Sequence, residues 1–217
     1  MATFTRRNLG LAAGMAAAVG LSAGALIAFS ATAAASVLPG TPAPAITDAT
    51  TSTGETISLA DFTGKTVILE WTNDGCPFVK KHYAEPVRNM QQLQERAAAE
   101  DIVWISVISS APGKQGYVSG AEAEAITAGR AAAPAYTILD PDGDIGRAYS
   151  AKTTPHMYIV NPEGMMIYAG AIDSVRSANP DDIADATNYV SDALDAMASG
   201  EPIQEASTAP YGCSVKY

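Results

Sequence analysis

The stretch that decides the fold runs from residue 66 to residue 83 and reads TVILEWTNDGCPFVKKHY. Its first six residues form a largely apolar, β-branched run, which is typical of a strand buried on both faces of a sheet. Pro77 suits the first position of a helix, and apolar residues then recur every three or four positions as far as Ala97. Cys76 is therefore predicted to lie between the carboxyl end of a central strand and an amphipathic helix that is kinked near Pro86.

The rest of the chain predicts an α/β protein of the thioredoxin-like class, with a central mixed sheet flanked by helices on both faces. Apolar runs bounded by turn residues indicate the strands, and 3.6-residue periodicity or composition indicates the helices. Residues 201–217 lack periodicity and are expected to be a flexible or docked tail. The other predicted elements are strands at 101–109 and 135–139, hairpins around 52–55 and over 157–169, and helices at 121–130 and 181–199.

Residues 1–35 are expected to be an export signal and are set apart from the fold. Arg6 and Arg7 precede a run rich in Ala and Gly, and small residues at 31–33 and 33–35 form two candidate cleavage sites. The arginine pair favours the twin-arginine route, while the general secretory route stays open. An uncleaved membrane anchor is the alternative, although the segment is only weakly hydrophobic. The mature protein is thus expected to be periplasmic or secreted, with no stable membrane anchor.

The mature chain is strongly acidic. The whole sequence carries 13 Lys and Arg residues against 23 Asp and Glu residues. Loss of Arg6 and Arg7 with the signal leaves 11 against 23, a net charge of −12. This balance offers no basic surface for nucleic acid or for anionic lipid. The remaining 182 of 217 residues are enough for one domain, predicted at 36–200, followed by the tail at 201–217.

Cys76 has the predicted surroundings of a reactive thiol. The thiolate is the reactive form of cysteine, and the free N–H groups and positive dipole at a helix start lower the pKa of a thiol placed there. Lys80 and Lys81 follow about one turn later and are expected to add positive potential and to help bind substrate. A core cysteine packed like an alanine is the alternative. The carboxyl edge of a parallel sheet, however, is where α/β folds place their sites.

Three segments together resemble the thioredoxin-like redoxins of the alkyl hydroperoxide reductase/thiol-specific antioxidant (AhpC/TSA) family. They are WTNDGCPFVKKHY at 71–83, Thr153-Thr154-Pro155 before the predicted hairpin, and GCSVKY at 212–217. The resemblance covers residues 38–217 and implies a thioredoxin fold with Cys76 at the reactive position. It also implies that Pro155 is a cis-proline beside Cys76, with Thr154 at the same substrate-docking corner. An ordinary proline at the start of a strand is the alternative for this pair.

Two departures from related families bear on the substrate. Thioredoxins carry C-x-x-C, but Val79 stands where the second cysteine would be. Typical peroxiredoxins carry P-x-x-x-T/S-x-x-C, and here Leu69 and Asn73 occupy the proline and hydroxyl positions. Thr72 and Asn73 remain candidate hydrogen-bond donors to the thiolate or to developing charge. Thiol redox chemistry is therefore predicted, with both peroxide and protein disulfide open as substrates.

The second cysteine, Cys213, is the candidate resolving thiol. A thiol that has become a sulfenic acid or a mixed disulfide needs a second thiol to reset it. A tail of about eighteen residues after the last predicted helix is long enough to bring Cys213 to Cys76. Two alternatives stay open. One is a structural Cys76–Cys213 disulfide in a non-catalytic binding domain, worth about 2–4 kcal/mol, and the other is pairing of Cys213 with another molecule.

A copper carrier similar to the Sco chaperones, which also use a thioredoxin fold, is a further alternative. Cys76, Cys213, His82, His156 and Met157 supply ligand types that suit copper. Sco chaperones need two close cysteines after the first strand, whereas this chain has one there. No metal and no cofactor is therefore expected.

The sequence thus predicts an exported enzyme, a thiol-disulfide oxidoreductase or peroxiredoxin-like antioxidant. Cys76 is the predicted nucleophile and Cys213 the predicted resolving thiol. The expected partners are a disulfide or peroxide substrate and an external thiol reductant, which in a periplasm would be a membrane-fed thiol carrier.

Overall fold

Strand β3, Val67–Trp71, lies at the centre of the fold, and every one of its residues is buried. The computed structural model describes residues 37–217, and within them β3 is the middle strand of a five-stranded sheet ordered β5-β4-β3-β7-β8. The β3–β4 and β4–β5 pairs are parallel, and the β3–β7 and β7–β8 pairs are antiparallel. The predicted mixed sheet is confirmed. Its other strands are β4 (Val103–Ile108), β5 (Tyr136–Leu139), β7 (His156–Val160) and β8 (Met166–Gly170).

Helices cover both faces of this sheet. On one face, apolar side chains of three helices pack against Ile68, Trp104 and Ile159 of the sheet. On the other face, Leu59 and Phe62 of a 3-10 turn and Tyr149 pack against Leu69 and Trp71. The first set comprises α1 (Pro77–Tyr83), α2 (Asn89–Ala99) and α5 (Tyr189–Ser199); α3 (Gly120–Gly129) and α4 (Asp144–Ala148) complete the helices of residues 37–217, and β1 (Ala49–Thr50) and β2 (Thr56–Ile57) form the predicted first hairpin.

Two predicted helices differ from the structure. The helix expected from Pro77 to Ala97 is two helices, because Pro86 cannot donate a backbone hydrogen bond and disfavours helical geometry at the residue before it. The helix expected at 181–199 starts only at Tyr189, where the Asn188 side chain accepts from Ser191 N–H and caps it. Helix α4 was not predicted; the Asp140 carboxylate caps its first turn.

The tail is docked along its length. Strand β9 (Cys213–Ser214) pairs antiparallel with β6 (Thr153–Thr154), which places Cys213 opposite Thr154. Earlier in the tail, Ser207 bridges to Ala169 beside the sheet. At its end, the Tyr217 hydroxyl donates to the carbonyl of Ala151 at 2.9 Å. The second cysteine is therefore part of the folded structure.

The proposed export signal at 1–35 lies outside the described residues. Within residues 37–217, no helix is long and apolar enough to cross a membrane.

The close approach of the tail to β8 gives a test of the docking. A methyl group at Gly170 would lie 2.1 Å from the Thr208 hydroxyl oxygen and 2.6 Å from the Thr208 carbonyl oxygen. We expect Gly170→Ala to lower the free energy of unfolding by about 1–3 kcal/mol in urea titrations, because the tail must move. Gly129→Ala is the control, since nothing lies within 4 Å of its added methyl. Equal stability of the two variants would show that the tail is not held there.

Candidate active site

Cys76 is the N-cap residue of α1, directly after the loop that leaves β3. Its backbone carbonyl accepts from the N–H groups of Val79 and Lys80, and its own N–H donates to the Asn73 carbonyl at 3.1 Å. Pro77 fills the first helical position, as predicted. The side chain is buried, with an exposed fraction of 0%, among apolar neighbours that include Val79 and Met157. The sulfur is thus at the expected helix start but is not open to solvent.

The corner at residues 154–155 lies against Cys76. The Thr154–Pro155 peptide bond is cis, which confirms the prediction for Pro155. The Cys76 thiol donates to the Thr154 carbonyl at 3.1 Å. The Thr154 hydroxyl is buried and has no hydrogen-bond partner among residues 37–217 while Cys76 is a thiol. Once Cys76 ionises, this hydroxyl is the nearby donor that favours the thiolate.

Cys213 brings the second sulfur to the same corner, because its strand position faces Thr154. Both cysteines are free thiols in this structure, and Cys213 packs against the cluster that contains Cys76, close enough for each thiol to alter the pKa of the other. Two sulfurs far apart in sequence are therefore neighbours without any motion of the tail.

The two thiols differ in acidity. Burial raises the pKa of the Cys76 thiol, but hydrogen bonds from the Cys213 thiol, from the Thr154 hydroxyl and from backbone N–H groups outweigh it, so the net pKa is lowered. Burial and the bond to Cys76 raise the pKa of Cys213 to about 11. The pair thus holds its negative charge on Cys76.

Thr72 and Asn73, the predicted hydrogen-bond donors to the thiolate, do not hydrogen-bond to the Cys76 thiol in this structure. The Asn73 side chain accepts from Gly75 N–H at 2.8 Å and donates to the Gln115 carbonyl at 3.1 Å, so it shapes the loop before Cys76. The buried Thr72 hydroxyl makes no hydrogen bond of normal geometry within residues 37–217, and it faces a cavity of about 20 Å³ that Arg130 also lines. In the thiol state shown here, neither side chain donates to Cys76.

The two lysines have separate surroundings. Lys80 is exposed on α1, where substrate could reach it. Lys81 is buried, and its ammonium group lies 2.9 Å from both the Asp173 carboxylate and the Val175 carbonyl. The substrate-binding role predicted for Lys81 does not fit this position, because a buried paired lysine cannot meet a substrate. The sequence predicts α1 but not which of the two lysines its inner face buries.

Lys81 belongs to a buried polar network that sequence reasoning missed. The Tyr211 hydroxyl donates to Asp173 and lies 3.4 Å from the Lys81 ammonium group. His82 Nε2 lies 3.3 Å from the same hydroxyl, and burial lowers the pKa of His82 to about 4, so the ring is neutral. The Tyr211 ring packs edge-on against Phe78. Since Tyr211 is two residues before Cys213, this network fixes the tail next to the helix that begins at Cys76.

A buried carboxylate in the central strand was also missed. Glu70 accepts from the Tyr83 hydroxyl and the Trp104 indole N–H at 3.0 Å, and from the Ser106 hydroxyl at 3.2 Å. Burial raises the pKa of Glu70, although the hydrogen bonds from Trp104 and Tyr83 and the charge of Arg130 partly oppose it. The sequence does carry a signal for this site, because Glu70 is a single acidic residue within an apolar run that predicts a buried strand. Carboxylates are almost never buried without partners, so such a residue indicates buried hydrogen-bond donors around it.

The two histidines among the candidate copper ligands are held in contacts with tyrosine hydroxyls. His82 lies in the Tyr211 network, and His156 Nδ1 lies 3.0 Å from the Tyr158 hydroxyl. Among the described residues, no group of three or more His, Cys, Asp and Glu side chains is placed to hold a metal ion.

Comparison with known families fits this arrangement. Residues 39–169 match the AhpC/TSA family, a span that contains both Cys76 and the cis-proline corner. The chain belongs to the AhpC/TSA family. The matched span ends before the tail that carries Cys213. Among curated proteins, none matches this chain.

Solved structures share the fold of this AhpC/TSA protein. An uncharacterized conserved protein from Geobacillus kaustophilus has a TM-score of 0.70 at 22% identity, covering 84% of this chain and 94% of the other. A hypothetical protein from Sinorhizobium meliloti 1021 has a TM-score of 0.64 at 21% identity, covering 84% and 96%. The thioredoxin domain of a thiol-disulfide oxidoreductase from Bacteroides vulgatus has a TM-score of 0.49 at 19% identity, covering 69% and 98%. The family match and the mixed sheet with helices on both faces confirm the predicted thioredoxin-like fold.

The buried lysine can be tested against its exposed neighbour. We expect Lys81→Met to lower the free energy of unfolding by about 3–5 kcal/mol, because the Asp173 charge is left buried without its partner. Lys80→Met should change the same quantity by less than about 0.5 kcal/mol, as surface substitutions usually do. Urea unfolding of both variants makes the comparison. Similar stability of the two would contradict the structural role of Lys81.

The contribution of Thr154 can be measured through the ionisation of Cys76. We expect Thr154→Val to shift the appearance of the thiolate to higher pH, because the thiolate loses a hydrogen bond worth about 1.5 kcal/mol or more. The ultraviolet absorbance of the thiolate, followed against pH in the reduced protein, reports this shift. Thr153→Val is the control, since that hydroxyl donates to the Pro155 carbonyl and not to sulfur. An unchanged titration in Thr154→Val would exclude the hydroxyl as a donor.

Proposed function

We propose that this AhpC/TSA protein is an exported thiol-disulfide oxidoreductase whose redox centre is the pair Cys76 and Cys213. The observation that carries the proposal is the position of Cys213 on β9 at the cis-proline corner, where its thiol is close enough to alter the pKa of Cys76. Val79 stands where thioredoxins have their second cysteine, and here the tail brings the second cysteine to the site instead.

The reaction is a two-electron exchange. The two thiols transfer two electrons and two protons to a substrate disulfide, which leaves as two thiols while a Cys76–Cys213 bond forms. An external thiol reductant reverses the change on the protein. Because β9 already holds Cys213 at the corner beside Cys76, the tail does not have to unfold in each cycle.

Disulfides suit this site better than peroxides. A peroxidatic thiol needs donors for the peroxide oxygens, and the side chains predicted for that task point elsewhere. Thr72 faces a separate cavity, and Asn73 holds the Gln115 carbonyl. A second thiol next to the first is what disulfide exchange requires.

Export is proposed from the sequence alone. The arginine pair and the small residues at 31–35 support it, and an exported dithiol would meet oxidising conditions in which a disulfide can persist.

Equilibration with glutathione redox buffers tests the proposal. We expect the Cys76–Cys213 bond to form and break reversibly, with a midpoint above the roughly −300 mV below which structural disulfides lie. Alkylation of free thiols followed by intact-mass measurement gives the oxidised fraction. Cys76→Ser and Cys213→Ser should each abolish the transition.

Three results would contradict the proposal. A Cys76–Cys213 bond that stays intact in the most reducing buffer would indicate a structural disulfide. Faster consumption of the reduced protein's thiols by hydrogen peroxide than by a small disulfide would indicate a peroxidase. Stoichiometric copper(I) binding by the reduced protein would favour a metal carrier.

A further inference from the structure

The two sulfurs differ in their access to solvent. Cys76 has an exposed fraction of 0%, whereas Cys213 is only partly buried. Lys80 and Pro77 next to the site are exposed, and Phe78 is partly exposed. An approaching thiol or disulfide therefore meets Cys213 at the surface, with Cys76 beneath it.

The tail backbone seals Cys76. Gly212 lies so close to the cis-proline corner that a methyl group there would be 2.0 Å from the Thr154 carbonyl oxygen and 3.5 Å from Phe78 Cβ. Its φ of +126° also favours glycine. Only a residue without a side chain lets the chain pass at this distance. The glycine at position 212 is therefore what allows the tail to pack this closely against the cis-proline corner.

Contacts on both sides of Cys213 hold this cover in place. On one side, Tyr211 is anchored by the buried Asp173. On the other, Val215 N–H donates to the Lys152 carbonyl at 3.1 Å, and Ala111 N–H donates to the Lys216 carbonyl at 2.8 Å. Exposing Cys76 would require breaking these bonds.

Resting on the proposed function, we propose that external partners exchange disulfides at Cys213, and that Cys76 is the inner sulfur that makes and breaks only the bond within the protein. This reverses the order expected from sequence, in which Cys76 meets the substrate first.

The chemistry of each step agrees with this order. A partner thiolate attacks the sulfur of Cys213, a partner–Cys213 disulfide forms, the internal bond breaks, and its electron pair leaves on Cys76 as a thiolate. The lowered pKa of Cys76 makes it the better leaving group. A second partner thiol then releases Cys213 and carries away the new disulfide. In the opposite direction, Cys213 passes its proton to the neighbouring Cys76 thiolate and attacks the substrate disulfide, so that the mixed disulfide forms, the substrate S–S bond breaks and one substrate thiolate leaves. That thiolate takes the proton from Cys76. The Cys76 thiolate then attacks the sulfur of Cys213, the internal bond forms and the second substrate thiolate leaves.

Mapping the mixed disulfide in the unmodified protein tests the proposal. Oxidised protein is mixed with reduced glutathione, quenched in acid at short times, unfolded and treated with N-ethylmaleimide. Trypsin places the two cysteines on separate peptides, 66–80 and 177–216, so mass spectrometry assigns each adduct. We expect glutathione on the Cys213 peptide in an excess on the order of tenfold, with N-ethylmaleimide on the Cys76 peptide, because exchange depends on access and on the leaving group.

Glutathione mainly on the Cys76 peptide, or equally on both, would overturn the proposal while leaving the oxidoreductase function intact. A Cys76–Cys213 bond that persists with no glutathione on either peptide would contradict both this proposal and the oxidoreductase function. Gly212→Ala gives a second measurement, because displacing the tail should raise the share of glutathione on Cys76 several-fold. An unchanged share in a folded Gly212→Ala protein would show that the tail does not control access. Ser214→Ala, on the exposed neighbour, is the control.

Discussion

The pairing of a two-residue strand from the tail with the cis-proline corner is the contact on which the candidate site depends. It sets Cys213 opposite Thr154, whose carbonyl accepts from Cys76. One short ladder therefore fixes the second sulfur, the hydroxyl that can stabilise a thiolate, and the cover over the first sulfur. Without it, the chain would have a buried thiol after β3 and no partner for it.

A buried ion pair stabilises that ladder from a distance. Lys81 and Asp173 would be costly to bury apart, but together with the Tyr211 hydroxyl they form a closed set of hydrogen bonds. The set joins α1 to the tail just before Cys213. Helix α1, which Cys76 caps, therefore also holds the tail segment that covers Cys76. Both sulfurs are positioned by this one helix.

Local patterns predicted the frame of this molecule well. The apolar run before Glu70 indicated the central strand, and Pro77 indicated the helix start that places Cys76. The cis geometry at Pro155 came from family resemblance and was confirmed. The sequence did not predict which lysine of α1 is buried, since this depends on Asp173. It also did not decide between a flexible and a docked tail, since docking depends on Gly212 fitting against Thr154. Such contacts join residues far apart in the chain, and no local periodicity encodes them. The break at Pro86 was underestimated for a local reason, since a kink was predicted where the helix stops.

The position of the second cysteine near the end of the chain has a thermodynamic consequence. In a protein with adjacent active-site cysteines, oxidation closes a ring of a few residues and hardly restricts the unfolded chain. Here a bond between residues 76 and 213 would close a loop that spans most of the domain, which lowers the entropy of the unfolded chain by an amount worth about 4–5 kcal/mol. By linkage, the folded state must favour oxidation to the same extent. A substitution would then shift the redox potential of the folded protein only where it changes the stability of the reduced and the oxidised folded states by different amounts.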